Sequence, residues 1–448
     1  MLELLSVLRE AELVVNDLVG EINSGEANLE QAERRVVEFV NRLGGMLTAE
    51  VLERVAEPTT ANTIYVGERK ARYKSSERLE LKTRFGTTVT RRRRRYAVEG
   101  GGNYYPLDEQ LGLGLCGGFT PLVTYLLSLF GSGEPYEPAA DRLSAAIGFD
   151  VSATAVQNAT ERVGAELPDE PSALIEAHHR RERSRLMIVE TDGTVSPQIR
   201  EESESEGRES LKEPTEYKEC NLVAIEKRYG DGRNAEKWVG ARYGPRREFE
   251  PYLRDSALAL GQLEAEEVVF LADGARHNWE MQRTNFPEAV AILDFYHALE
   301  HLGEFCALVK NEHAGKQYYA RWREKLYNGE VVPVIAEMNT ALKRVSQRDE
   351  AQKHINYFQT NRERMAYDEY RARGYPIGSG MVEGACKYVV GKRFKGSGMR
   401  WKRRDNQAVL NTRLHVLNHI FESRFRERSL GRPFTEFRNV CQEGAALS

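Results

Sequence analysis

The chain has 448 residues, 64 Lys and Arg against 68 Asp and Glu, a formal net charge of −4, and 41% hydrophobic and 29% charged residues. That is an ordinary water-soluble composition, long enough for about two to four domains. There is no run of 18 apolar residues, and the acidic start Met1-Leu-Glu-Leu-Leu-Ser has no basic, then apolar, leader; this excludes a helical membrane span and predicts no signal peptide. Five scattered cysteines (116, 220, 306, 386, 441) form no Cys-x-x-Cys pair. They predict reduced thiols in a cytoplasmic protein, and argue against a zinc site or a disulfide framework.

Residues 1 to 45 read as helix, with Leu4, Leu5, Leu8, Val37, Phe39 and Val40 at helical spacings. From Ile64 to Tyr105 the pattern is β-structure with turns, and it contains a run of five arginines, Arg91 to Arg95. Such a run suits a solvated strand edge or a phosphate-contacting arm; on the second reading Arg91, Arg92 and Arg93 contact DNA. Residues 119 to 166 read as three helices. Glu137 to Gly148 stops at a C-terminal glycine, three residues follow, and Ser152 is a good N-cap for a helix beginning at Ala153. This is helix-turn-helix spacing. Ser152, Thr154, Gln157, Asn158 and Arg162 are its candidate DNA contacts, although a plain helical bundle has the same composition.

Strands are predicted at Leu186–Thr191, Tyr217–Tyr229, Lys237–Tyr243, Val268–Ala272 and Val290–Asp294. A polar stretch, Gln198 to Ser210, predicts a mobile loop after the first strand. One helix is predicted over Phe249–Leu263, and another starts at Ala298. Three antiparallel strands followed by alternating helix and strand describe a mixed sheet covered by helices, in the order of the ribonuclease-H-like fold, whose first and fourth strands are neighbours. Helical segments then fill residues 298 to 372. Gly374-Tyr-Pro-Ile-Gly-Ser-Gly380 leads to a helix bearing Glu383, and Lys387 to Arg404 holds eight Lys or Arg and no acid. A segment so basic suits a track for phosphates; Lys387, Lys392, Arg393, Lys395 and Arg400 are its candidate contacts.

Two aspartates follow apolar strands: Asp192 after Leu186-Met-Ile-Val-Glu-Thr, and Asp273 after Val268-Val-Phe-Leu-Ala. Asp-Gly is also a common hairpin signal, so each alone says little. Together with Glu383 they form a set of three carboxylates that repel one another unless divalent cations neutralise them, which is the requirement of two-metal phosphoryl transfer. Mg²⁺, with Mn²⁺ as substitute, suits such oxygen donors. Arg276 is a candidate phosphate clamp. Trp279 and Trp401 are candidates for stacking on an extruded base or for the core.

The spaced motifs Asp192-Gly, Leu271-Ala-Asp-Gly-Ala-Arg-His-Asn-Trp279, Asp294-Phe-Tyr-His297, Ile377-Gly-Ser-Gly-Met-Val-Glu383 and Gly398-Met-Arg-Trp401 resemble those of bacterial insertion-sequence DDE transposases, of the ISKra-type group related to the Mutator superfamily. The likeness covers roughly residues 100 to 425. It implies a catalytic triad of Asp192, Asp273 and Glu383, with Asp294 and His297 as an auxiliary pair, and a helix-turn-helix ahead of the catalytic domain. Related transposases often carry cysteine pairs before the Pro106-Leu-Asp108 segment. This chain has none there, so no metal is expected in that module.

The expected architecture is mixed α/β. A helical segment (1–58), a small β-rich module (59–118) and a helix-turn-helix region (119–180) precede a ribonuclease-H-like catalytic domain (181–297 and 373–428). An all-α insertion (298–372) interrupts that domain, and a tail (429–448) follows it. The expected activity is binding of terminal inverted repeats, then Mg²⁺-dependent cleavage and strand transfer, in a cytoplasmic, nucleoid-associated enzyme that is at least a homodimer on double-stranded DNA. A silent DNA-binding regulator, or a nuclease that cuts without joining, is the alternative.

Overall fold

The computed structural model describes residues 2–171, 183–199, 215–230, 234–397, 399, 401 and 403–430. Most of the polar loop expected over 198–210 falls outside them, as do Arg400 and the tail from residue 431. The chain is mixed α/β and divides into two compact units, Met1–Leu167 with Glu422–Ser448, and Pro168–Phe421. Among the described residues no helix is long and apolar enough to cross a membrane.

The first unit opens with α1 (Leu2–Ser24) and α2 (Leu29–Arg54), where a single helix was expected. Gly25, at φ 77°, breaks the helix, and Asn28 restarts it through a reciprocal cap with Gln31. An antiparallel sheet follows in chain order, β1 (Thr63–Val66), β2 (Arg69–Lys82), β3 (Thr88–Val98) and β4 (Asn103–Tyr104). The arginine run lies on β3, so alternate members face opposite ways. Arg91 donates to the carbonyls of Glu53 and Val55 at the end of α2. Arg93 pairs with Asp108 and covers the Tyr105 ring at 4.0 Å. These two are therefore tied inside the module, which corrects the reading of the whole run as a phosphate arm. Arg92 remains exposed.

After a short helix, α3 (Pro106–Gln110), come α4 (Pro121–Gly133), α5 (Tyr136–Ile147) and α6 (Ala153–Glu166). They close on a core of Val123, Leu127, Ala139, Leu143, Ile147, Val156 and Ala159. Gly148 takes φ 78° to stop α5, and the Ser152 hydroxyl accepts from Ala155 N at 3.1 Å to start α6. Thr154 and Asn158 are exposed on α6; Gln157 and Arg162 are half-buried, Gln157 bonding Glu161 at 2.8 Å.

The second unit is built on a five-stranded sheet of β5 (Leu186–Ile199), β6 (Thr215–Arg228), β7 (Glu236–Tyr243), β8 (Glu267–Ala272) and β9 (Val290–Leu293). The order is β7-β6-β5-β8-β9. β5, β6 and β7 are antiparallel neighbours, whereas β8 lies parallel to β5 and β9 parallel to β8. The continuous apolar runs of β5 and β8 suit strands covered on both faces: Met187, Val189, Val269, Phe270 and Leu271 are all fully buried. α7 (Arg246–Ala259) and α8 (Arg276–Asn285) connect the strands.

After β9 the chain becomes helical: α9 (Phe295–Ala307), α10 (Glu312–Tyr327), α11 (Val331–Ala341), α12 (Arg348–Asn361) and α13 (Tyr367–Ala372). Phe305, Trp322, Val334, Met338, Ile355 and Phe358 join these helices to the same core as the sheet. α14 (Gly380–Ala385) then carries Glu383, and α15 (Lys392–Phe394) and α16 (Arg403–Leu417) close the unit; α17 (Phe421–Leu430) follows.

Candidate active site

β5 does not end at Thr191, as its apolar run suggests. It continues to Ile199, with Asp192 opposite Leu222 of β6. Asp192-Gly193 is therefore strand and not a turn. β8 leaves β5 after the Glu190–Leu271 pair, so Asp192 stands just past the point where the parallel strands part, and Asp273 follows directly after β8. Crevices at the carboxyl ends of parallel strands are where α/β sheets bind ligands.

Each aspartate is held from one side. Asp192 Oδ1 accepts from Gly193 N at 2.6 Å, and its Oδ2 lies 3.6 Å from Cys386 Sγ. Burial pushes that thiol up to about 12, with the Asp192 charge adding to the shift, so it stays protonated as a donor. Asp273 Oδ1 accepts from Ala275 N at 2.9 Å and Asn278 Nδ2 at 2.7 Å. Arg246, at the start of α7, feels the charge of both aspartates. Burial lowers its pKa, while Glu219, Asp273 and Asp192 oppose that shift. Its Nη1 reaches Asn278 Oδ1 at 3.4 Å.

Glu383 is brought in by two acids. Glu190, only 3% exposed, accepts from Val382 N at 2.8 Å. Burial pushes Glu190 up to about 7, against the bonds from Val382 and Met381. Asp294 caps α9 through His297 N at 2.8 Å and accepts from Ser379 N, and Phe295 N donates to Ile377 O at 2.8 Å. The helix thus starts at Phe295, three residues earlier than expected, because Asp294 is its cap. One ligand atom from each of Asp294, His297 and Glu383 lies within 4.8 Å of the others. Among the described residues Asp192, Asp273 and Glu383 do not form such a group; Glu383 groups instead with Asp294 and His297.

Asp294 and His297 pair at 3.3 Å. Burial opposes ionisation of Asp294, but bonds from His297 and Ser379 outweigh it and hold the carboxyl below its usual range. The bond to Asp294 raises His297 to about 9. In metal-free protein the His297 ring protons should titrate by NMR with a midpoint near 9, and Asp294→Asn should bring this down toward the ordinary value of about 6.5. The raised value makes the charge on His297 stabilising below about 6.5, and this contribution is lost as pH rises toward 9. A midpoint unmoved by Asp294→Asn would disprove the pairing.

Gly274 has a packing reason to be glycine. A Cβ there would sit 2.1 Å from a ring carbon of Tyr357 on α12, and Tyr357 is itself stacked on His301 at 3.7 Å. Gly274→Ala should therefore cost about 1–3 kcal/mol by overpacking, measured by denaturant unfolding. An unchanged midpoint would mean that the ring moves aside freely.

The other expected contacts fall into two groups. Arg276 is 92% exposed at the start of α8 and pairs with Glu280 at 2.8 Å. Lys387 reaches Glu383 at 3.9 Å, Lys395 Nζ bonds Thr194 Oγ1 at 2.5 Å, and Lys392 is exposed. These remain available to a polyanion. Trp279 is not: it is 3% exposed and packs edge-on against Phe270, so it belongs to the core, not to a base-stacking platform. Arg393 is fully buried, 4.7 Å from the Trp401 ring. Trp401 packs on Phe394 and donates to its carbonyl at 3.3 Å. Both are structural, and the basic run is not one continuous phosphate track. Sequence reading missed Glu190, Arg246 and Asn278. Of these Glu190 left a signal of its own, an acid inside an apolar strand two residues before Asp192 and so on the same face; Asn278 stands within the Leu271–Trp279 motif, and Arg246 left none.

No curated protein matches the chain. Among solved structures, the Drosophila P element transposase strand transfer complex is similar at 11% identity and TM-score 0.28, over 73% of this chain and 88% of that one; a likeness this slight bears on neither fold nor function. The model of the uncharacterised protein family UPF0236 matches residues 23–427, nearly the whole chain, and the chain belongs to that family.

Proposed function

We propose that the chain is a DDE-type DNA transposase whose second unit has the ribonuclease-H-like fold. One observation carries the reading. With the sheet order β7-β6-β5-β8-β9, Asp192 lies within β5 just past its last pair with β8, and Asp273 directly follows β8, while the helix of Glu383 is bonded to β5 through Glu190. The resemblance of the five spaced motifs to insertion-sequence transposases supports it.

The donor set fits Mg²⁺, which favours carboxylate oxygens. Asp192, Asp273 and Glu383 would hold it, each from a different element and each partly open to solvent. Bound Mg²⁺ supplies charge neutralisation and alignment of the attacking and leaving oxygens. The chain's own residues supply position: Asn278 and Ala275 N orient Asp273, Glu190 and Asp294 fix the approach to Glu383, and Arg246 offsets repulsion between the aspartates. Water first displaces a 3′-oxygen from the phosphodiester at the element's end. The freed 3′-hydroxyl then displaces another from target DNA, one phosphodiester being exchanged for another.

Arg276, Lys387, Lys392 and Lys395 would contact phosphates, and the outer face of α6 would read base edges as the second helix of a helix-turn-helix. Exposed Leu13, Val36, Val40 and Leu47 on α1 and α2 suit a protein partner, consistent with at least a homodimer on paired ends.

The test is to incubate the full chain and Mg²⁺ with DNA flanking its own gene, then look for nicked and joined products. Both are expected, and Gln157→Ala with Asn158→Ala should erode preference for end DNA. Cleavage without joining would favour a nuclease, and binding without cleavage a regulator. Neither binding nor cleavage would overturn the proposal.

A further inference from the structure

A second cluster of metal-ligating side chains lies where α9 meets α12, one helical turn along α9 from His297. His301 and Glu304 are three residues apart on α9 and so share a face, and His354 comes from α12. The Nδ1 atoms of the two histidines face each other at 3.0 Å, and Glu304 Oε2 is 3.7 Å from His354 Nδ1. One ligand atom from each of the three residues lies within 4.8 Å of the others.

We propose that His301, Glu304 and His354 form a binding site for a zinc-class divalent cation, separate from the carboxylate crevice and independent of the DNA reading. Zinc bonds to nitrogen and oxygen are about 2.0–2.2 Å long, which puts tetrahedral neighbours about 3.3 Å apart. The nitrogen pair must open by only a few tenths of an ångström. Glu304, on the exposed side of its helix, has the freedom to swing in. Two imidazoles and one carboxylate leave a fourth position for water, and imidazole nitrogen favours zinc over magnesium. The site needs no cysteine, which is why the cysteine pattern gave no sign of it.

The surroundings suit a ligand set better than a plain pair of polar side chains. His354 is buried. The Tyr357 ring lies flat on His301, at 3.7 Å and 23° between planes, and sets its orientation. A cation here would clip α12 to α9. It would also brace Tyr357 where that ring abuts Gly274, beside Asp273. The competing explanation is a direct hydrogen bond between two neutral imidazoles, with no cation.

The experiment uses the full chain, stripped with chelator and dialysed against Zn²⁺ in excess Mg²⁺, with bound zinc measured by mass spectrometry and affinity by calorimetry. About one equivalent is expected. His301→Asn and His354→Gln should each weaken binding by about 100-fold or more, because removing even an outer partner of a ligand costs about 10–100-fold. Glu304→Gln, a surface change that cannot unfold the helix pair, should weaken it by at least about tenfold. Glu383→Gln should keep the full equivalent. Zinc should raise the melting temperature of the wild type and not that of His354→Gln. A wild type that retains no zinc would overturn the proposal. So would histidine variants that keep it, or loss of the equivalent in Glu383→Gln, which would put the ion at Asp294, His297 and Glu383.

Discussion

Asp192→Asn, Asp273→Asn and Glu383→Gln should each lower DNA cleavage in Mg²⁺ by about 10³-fold or more while leaving binding to end DNA intact. Each swap removes a charge and keeps the shape. A cation held by carboxylates contributes several kcal/mol of transition-state charge stabilisation, and each 1.4 kcal/mol is about tenfold in rate. The fold should survive. Asn at 273 keeps an oxygen to accept from Ala275 N and Asn278, and Asn at 192 keeps one for Gly193 N. Losing the carboxylate repulsion beside Arg246 should offset part of any lost bonding. The assay is cleavage of labelled end DNA, with binding and thermal unfolding measured on the same preparations. A single variant that cuts at the wild-type rate removes that residue from the metal-holding set.

Glu190→Ala should lose stability and activity together. The Glu190 carboxylate is buried and takes bonds from Val382 N and Met381 N. Alanine would leave both donors without this partner, at about 1–3 kcal/mol each, for a total of about 2–6 kcal/mol. It would also free the helix that carries Glu383, so cleavage should need more Mg²⁺ at temperatures where the protein is still folded. Glu190→Gln keeps an acceptor oxygen and should recover most of the stability. Denaturant unfolding and Mg²⁺ titration of cleavage separate the two effects. If Glu190→Ala unfolds with the wild type, the bond to Val382 does not anchor α14.

The strands of the second unit were legible because burial on both faces leaves apolar runs, as in Val268-Val-Phe-Leu-Ala, that few helices would carry at that length. The turn into α6 was legible because Gly148 and Ser152 act locally, through a left-handed backbone and a capping hydroxyl. What stayed hidden depends on contacts distant in sequence. The stretch after Asp192 reads Gly-Thr-Val-Ser-Pro-Gln-Ile, which has weak strand character; it is extended because β6 pairs with it along its whole length. Arg393 sits in a basic run and reads as surface, yet packing turns its side chain onto Trp401. Trp279 had two readings until Phe270 decided between them. Glu190 was visible as a charge out of place, but its partner lies 192 residues further along.

That last separation has a consequence in time. A ribosome adding about 5–20 residues per second takes roughly 10–40 s to pass from Glu190 to Val382. In the later part of that interval, once Asp273 has been added, the nascent chain holds both aspartates and lacks the segment that carries Glu383. Contacts so far apart are also slow to close once the chain is free. On the proposed function, translation products that end early would lack Glu383 and so have no complete carboxylate set with which to cut DNA.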